Sequence, residues 1–260
     1  MKQWVSCFAI LLGLLILSPV KAHAYATAYG EAYIDWSSLR ISVKGDIDCD
    51  FFSGGYLEAN ISDDTIGLYD SQFVSIPSGE LNNSFYASAE TSFAEAQAKL
   101  NFYDFKGTVN VNSNGIHKAD SYSYGGVGYE IYAPENGNGG WVIASVNYVL
   151  TLDLRTTSIG EEAGGYAKVS LYLSDDCSGT YDDYLLDKTA LNGDAIHAEY
   201  PGTLEVSYFF YPGSSGDLSI VLETSAGITS PVPLPSTILL LGSGMLWMVG
   251  YRRKCLNKKC

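Results

Sequence analysis

The sequence predicts an all-β chain: an antiparallel sandwich of the jelly-roll kind, with an N-terminal signal helix before it and a single C-terminal transmembrane helix after it. Three observations carry this. Apolar and polar residues alternate with period two in several segments separated by Gly, Asn, Asp and Ser clusters. Tyr is abundant, at 20 residues, a composition that suits a pleated, half-buried surface. Long, well-capped helical patterns are missing between residues 25 and 230.

Residues 1–24 read as a secretory signal peptide. Lys2 supplies the basic start and residues 8–17 (FAILLGLLIL) the apolar segment. Ser18 and Pro19 break it, and Ala22 and Ala24 place small residues where signal peptidase cuts. The apolar segment is too short to cross about 30 Å of hydrocarbon. Residues 25–230 then form one acidic exported domain, and residues 231–260 a separate tail.

Charge is partitioned between these parts. All 29 acidic residues fall in residues 25–230, together with only eight basic ones, so that region carries a net charge of −21. Such a surface repels phosphate backbones and excludes nucleic acid as a partner.

Residues 26–34 begin the first strand and residues 39–43 continue it after a Trp36-Ser37-Ser38 break. Residues 105–111 (FKGTVNV) and 141–154 (WVIASVNYVLTLDL) follow, the latter with the clearest alternation. Residues 166–173 (YAKVSLYL) come after an expected Gly164-Gly165 turn. Residues 203–211 and 217–224 are expected to pair as a hairpin through Pro212-Gly213-Ser214-Ser215-Gly216. Residues 84–100 (SFYASAETSFAEAQAKL) satisfy both periods; helix propensity favours a helix, the β surroundings a strand, and the strand is the expectation. Gly126-Val127-Gly128 is expected in a Tyr-rich loop and lacks the strand–GxGxxG–helix context of a nucleotide site.

The tail has three parts: Val232-Pro233-Leu234-Pro235-Ser236-Thr237, an uncharged apolar run to Gly250, and the basic stop Arg252-Arg253-Lys254. The two prolines hold an extended backbone. A transmembrane helix over about residues 237–251 follows, and the basic residues 252–260 keep the tail cytoplasmic, with the acidic domain outside. This order of parts resembles the PEP-CTERM protein-sorting signal, in a Val-Pro-Leu-Pro-Ser-Thr form with Leu234 where the name motif has Glu. The resemblance implies an exported protein of a Gram-negative cell, associated with biofilm or exopolysaccharide. It also implies an inner-membrane-anchored intermediate with its domain on the periplasmic side, cut near Pro-x-Pro by an exosortase and passed to the cell surface or extracellular matrix.

Catalytic motifs are sparse. His117 and His197 sit in no HExxH or ligand cluster, and there is no GxSxG elbow or Walker loop. Carboxylate pairs of the kind glycosidases use could come from Asp63/Asp64, Glu161/Glu162, Asp175/Asp176 or Asp182/Asp183, and nothing in the sequence selects one. Asp46, Asp48 and Asp50 have an alternating oxygen spacing that a structural Ca²⁺ could use, without the Gly and distal Glu of an EF-hand; residues 175–183 form a second acidic stretch. No other cofactor is implied. Cys49 and Cys177 are the only cysteines of the exported region and could make one disulfide, or stand as two thiols in unrelated loops. Trp36 and Trp141 could stack on sugar rings or pack in the core. The expected function is a non-enzymatic surface or matrix protein; a carbohydrate-binding module and a carboxylate hydrolase are the alternatives.

Overall fold

A computed structural model describes residues 25–63, 67–79, 83–101, 103–112 and 118–230. The signal residues Ala22 and Ala24, His117, Asp64 and the whole of residues 231–260, including the sorting motif, the membrane helix and the basic stop, lie outside the described residues.

Twelve strands make up the described region: β1 (Thr27–Gly45), β2 (Asp48–Asp63), β3 (Leu68–Ile76), β4 (Phe85–Glu90), β5 (Ala94–Leu100), β6 (Asp104–Asn112), β7 (Lys118–Tyr132), β8 (Gly140–Arg155), β9 (Glu162–Asp175), β10 (Gly179–Leu191), β11 (Ala195–Phe210) and β12 (Ser215–Thr229). They form two six-stranded antiparallel sheets. Sheet A has the order β11-β8-β1-β6-β5-β4, and sheet B has β10-β9-β12-β7-β2-β3. The sheets pack face to face with these orders aligned, so β1 lies over β12 and β9, and β6 over β7 and β12. The expected antiparallel sandwich is therefore the fold.

Alternation decides which side of each strand enters the core. In β8, Val142, Ala144, Val146, Leu150, Leu152 and Leu154 are buried; in β12, Leu218, Ile220, Leu222, Ala226 and Ile228 are. Each fully buried Leu or Ile contributes about 1.5–3 kcal/mol of transfer free energy. Residues 84–100 form the β4–β5 hairpin, with Ala87, Ala89, Phe93, Ala94, Ala96 and Ala98 buried. Tertiary pairing overrides the helix propensity of this segment.

The small side chains of β5 and β7 bring the sheets close together. Ser121 and Ser123 of β7 are buried, and their hydroxyls donate across the core to the carbonyls of Glu95 (2.8 Å) and Gln97 (2.6 Å) of β5. Nearby, the Phe105 ring of sheet A rests directly on the backbone of Gly125 in sheet B.

Both open sides of the sandwich are stitched by side chains. On one side the edge-strand N–H groups of Ser88 and Glu90 in β4 donate to Gln72 (2.6 Å) and Asp70 (2.9 Å) of β3. On the other, the Glu205 N–H of β11 donates to Asp182 of β10 at 2.9 Å. Unpaired edge donors are templates for aggregation, and these contacts occupy three of them.

Four local expectations are corrected. Gly164 and Gly165 are not a turn; they lie within β9, opposite Gly227 and Ala226 of β12. Gly126-Val127-Gly128 is not a loop but the middle of β7. The Trp36-Ser37-Ser38 break is a register shift inside a continuous β1, between Asp35 and Arg40. Residues 203–211 and 217–224 do not form a hairpin, because β11 belongs to sheet A and β12 to sheet B. Their joint is a turn closed by the Ser214 N–H to Tyr211 carbonyl bond (3.0 Å), with Gly213 at φ 81 following Pro212. It then bonds to Ala133 rather than pairing the two strands with each other.

Candidate functional site

The outer face of sheet B carries the most organised surface of the described region. Outward positions of neighbouring strands fall in register as Phe73 (β3), Glu58 (β2), Tyr124 (β7), Glu223 (β12) and Lys168 (β9). Tyr56 and Tyr122 stand one step to either side of this row, two residues along β2 and β7 from Glu58 and Tyr124. The rings stack on one another: Phe73 on Tyr56 at 5.4 Å, Tyr56 on Tyr124 at 5.1 Å and Tyr124 on Tyr122 at 6.5 Å, with interplanar angles of 27°, 19° and 24°. Together they make a ridge running across the strands.

Glycines lower the sheet on both sides of the ridge. On one side a trough of about 370 Å³ is floored by Gly54, Gly55, Gly126 and Gly128 and walled by Tyr124 and Asp217. On the other, a trough of about 250 Å³ is floored by Gly164 and Gly227 and bordered by Tyr166 and the carboxylates of Glu162 and Asp187. Two glycines of the first floor are obligatory: a Cβ on Gly55 would lie 2.0 Å from the Gly126 carbonyl oxygen, and Gly54 has φ 94 at the β2 bulge.

Burial and neighbouring groups hold the phenols of Tyr122 and Tyr124 above the ordinary tyrosine range. Burial, and then the Glu223 carboxylate, push the Tyr122 phenol up. Burial and a hydrogen bond with Tyr56 do the same for Tyr124. Tyr166 is raised by burial and by Glu223, to which it hydrogen-bonds. The surface thus offers hydroxyl donors, carboxylate acceptors and apolar ring carbons above a flat floor. That combination suits a ligand with many hydroxyl groups on an apolar ring frame.

The residues singled out in the sequence are placed elsewhere. Trp36 is 7% exposed, stacked on Tyr129 and edge-on to Phe105, and belongs to the core. Trp141 is 48% exposed on the outer face of sheet A, packed edge-to-face on Phe209. No disulfide joins Cys49 and Cys177. Cys49 is in β2 and Cys177 in the β9–β10 turn, with β7 and β12 between those strands. Three strand spacings of about 4.8 Å exceed the roughly 7 Å that a bridge allows between Cα atoms.

The acidic pairs separate because neighbours in a strand or tight turn point apart. Glu161 is buried and accepts from the N–H groups of Thr157 (2.5 Å) and Ser158 (2.8 Å), whereas Glu162 faces outward. Asp182 holds the Glu205 N–H while Asp183 faces Lys168 at 3.8 Å. Asp175 accepts from the N–H groups of Cys177 and Ser178, which hold its carboxyl below the usual range, and Asp176 is exposed. Asp63 is buried at the end of β2. Asp46 is engaged by the backbone N–H (2.9 Å) and side-chain amide (3.2 Å) of Asn138, and Asp48 and Asp50 belong to β2. Among the described residues no group of three or more His, Cys, Asp or Glu side chains converges as metal ligands do. His197 is exposed beside Asp153 at 3.6 Å.

The tyrosine ridge and its troughs were not legible in the sequence. The signal that could have found them is the SYSYGGVGY run of β7, in which Tyr122, Tyr124, Gly126 and Gly128 share one face while Ser121, Ser123 and Gly125 share the other.

No protein-family model matches the chain, and no curated protein matches it. Among solved structures, vicilin from hazelnut (Corylus avellana) aligns over 80% of this chain and 72% of its own, at 8% identity and a TM-score of 0.13. A likeness at that level carries no argument.

Proposed function

We propose that this chain is an exported, non-enzymatic cell-surface or extracellular-matrix protein, sorted through its PEP-CTERM-like tail and associated with exopolysaccharide. Signal peptidase and an exosortase-type membrane enzyme are its processing partners. The tail supports the sorting half of this reading: Val232 to Thr237, an apolar run and Arg252 to Lys254 stand in the order the sorting signal uses. The ridge of Phe73, Tyr56, Tyr124 and Tyr122 between glycine troughs carries the binding half. A flat, ringed and hydroxyl-rich surface of this kind fits an extended glycan, with hydrogen bonds to hydroxyls and ring contact to C–H faces.

Two measurements test it. The intact mass of the protein recovered from cells reports both cuts at once; a mass retaining residues 236–260 would leave a plain membrane anchor in place of a sorted protein. Retention on a panel of immobilised neutral, acidic and amino polysaccharides tests the surface. Loss of retention in Tyr56→Ala/Tyr124→Ala supports the site, and retention unchanged by that pair removes it. A carbohydrate-binding module as the sole role is the second reading. Half-exposed Trp141 on Phe209 favours it, because it offers a second aromatic platform on the other sheet.

A further inference from the structure

We propose that Tyr184 and Tyr200 are an oxidative cross-linking site, poised to form an intramolecular dityrosine that joins the two sheets covalently. Tyr184 lies on β10, an edge strand of sheet B, and Tyr200 on β11, an edge strand of sheet A. Their rings meet across the open side of the sandwich with centroids 4.0 Å apart and planes 5° from parallel.

This geometry is unlike the other ring pairs. Aromatic pairs prefer offset or edge-to-face arrangements with centroids about 4.5–7 Å apart, because the two π faces repel in a full sandwich. The framework holds Tyr184 and Tyr200 closer than that. The Asp182 carboxylate, two residues before Tyr184, anchors the Glu205 N–H of β11. Tyr148, buried behind the pair, stacks at 6.0 Å from Tyr184 and 6.4 Å from Tyr200 and backs them from the core. With ring planes no closer than about 3.5 Å, the centroid distance leaves a lateral offset of about 2 Å. Face-to-face rings at this separation hold the edge of one phenol within van der Waals reach of the other, close to a near-attack arrangement. Tyr200 is 41% exposed, so an oxidant reaches the pair from solvent.

The chemistry balances with one added reagent, hydrogen peroxide acting through a haem peroxidase. Each phenol loses one electron and one proton. The two phenoxyl radicals couple through ortho carbons, forming one C–C bond. The two ortho C–H protons then move to the oxygens, restoring both phenols. The protein loses two hydrogen atoms, and the peroxide is reduced to two waters.

The test oxidises the purified full-length chain at low concentration with a peroxidase and limiting hydrogen peroxide. Dityrosine fluorescence, intact mass and cross-linked peptides after proteolysis are then measured. The expected result is a monomer lighter by two hydrogens, with Tyr184 joined to Tyr200 in the main linked peptide. Tyr200→Phe and Tyr184→Phe keep both rings stacked and remove one phenol. Each should lower the early dityrosine yield by more than about tenfold, because an oriented pair outcompetes encounters between molecules. Unfolding in denaturant before oxidation should abolish the selectivity. Links that map first to the more exposed Tyr69, Tyr103, Tyr181 or Tyr211, links only between molecules, or yields unchanged in both Phe variants would overturn the proposal.

Discussion

Gly125→Ala tests how tightly the two sheets interlock beneath the tyrosine ridge. Gly125 faces the core from β7, and a Cβ there would lie 2.4 Å from Phe105 Cε2, 2.7 Å from its Cζ and 3.1 Å from Leu57 Cδ2. Carbon atoms pack at about 3.5 Å or more, so the Phe105 ring must retreat by about 1 Å. It has little room: Phe105 is fully buried and sits edge-on to Trp36 at 6.0 Å. Two effects then compete. Replacing Gly by Ala at a tolerant site stabilises by about 0.4–1 kcal/mol through the unfolded chain, whereas overpacking a core costs about 1–3 kcal/mol. Overpacking should win, giving a net loss of about 1–2 kcal/mol. Urea unfolding at unchanged m measures it. Phe105→Leu alone should also destabilise, by roughly 1–2 kcal/mol. The double variant should lose less than the sum of the two by about 1 kcal/mol, since the smaller side chain makes room for the new methyl. A Gly125→Ala protein as stable as the parent, or a strictly additive double variant, would show that the sheets are not interlocked there.

Gly126→Ala, one residue on, faces the trough instead; its Cβ would meet only the Tyr124 ring at 3.4–3.8 Å, so folding should be unchanged while polysaccharide retention falls, as unfolding and column assays would show. Asp70→Ala/Gln72→Ala removes both acceptors from the β4 edge and should cost about 1–2 kcal/mol; light scattering should reveal self-association through the freed N–H groups of Ser88 and Glu90. Burial raises the phenols of Tyr129 and Tyr148 to about 12 each, against about 10 in the unfolded chain. Their contribution to stability is complete below pH 10 and is lost as pH rises toward 12, so circular dichroism and tyrosinate absorbance should change together in that window. The Asp175 carboxyl is depressed by the N–H groups of Cys177 and Ser178. Its contribution is present above the usual carboxylate range and lost as pH falls through the lowered value, which carboxyl NMR titration and amide exchange in the β9–β10 turn should register.

The strands visible in the sequence were those whose inward positions are large and apolar. β8 and β12 alternate Val, Leu and Ile with polar residues, and their period is plain. β7 hides its period because its inward positions are Ser121, Ser123 and Gly125, made small by the close approach of Glu95, Gln97 and Phe105 from the facing sheet. The same reason disguised the site. Glycine in a sequence reads as a turn, but Gly164 and Gly165 lie flat within β9. The aromatic row joins residues from β3, β2 and β7 whose adjacency depends on strand order, and local periodicity does not contain strand order. The acidic pairs show the converse. Adjacency in sequence suggested adjacency in space, and the pleat turned Asp182 and Asp183 to different partners.

The two ends of the described sandwich have a mechanical consequence. Tyr25 hydrogen-bonds Thr157 in the β8–β9 turn, and Thr229 at the end of β12 pairs with Glu162 just after that turn, so the chain enters and leaves at the same end. A tether attached beyond Ser230 would draw on β12 along its own axis. β12 is an interior strand, registered against β7 on one side and β9 on the other along its whole length. Tension would therefore load both ladders in shear at once, rather than peeling hydrogen bonds one at a time from an edge. A domain loaded through such a tether would resist through the strand it is least able to give up.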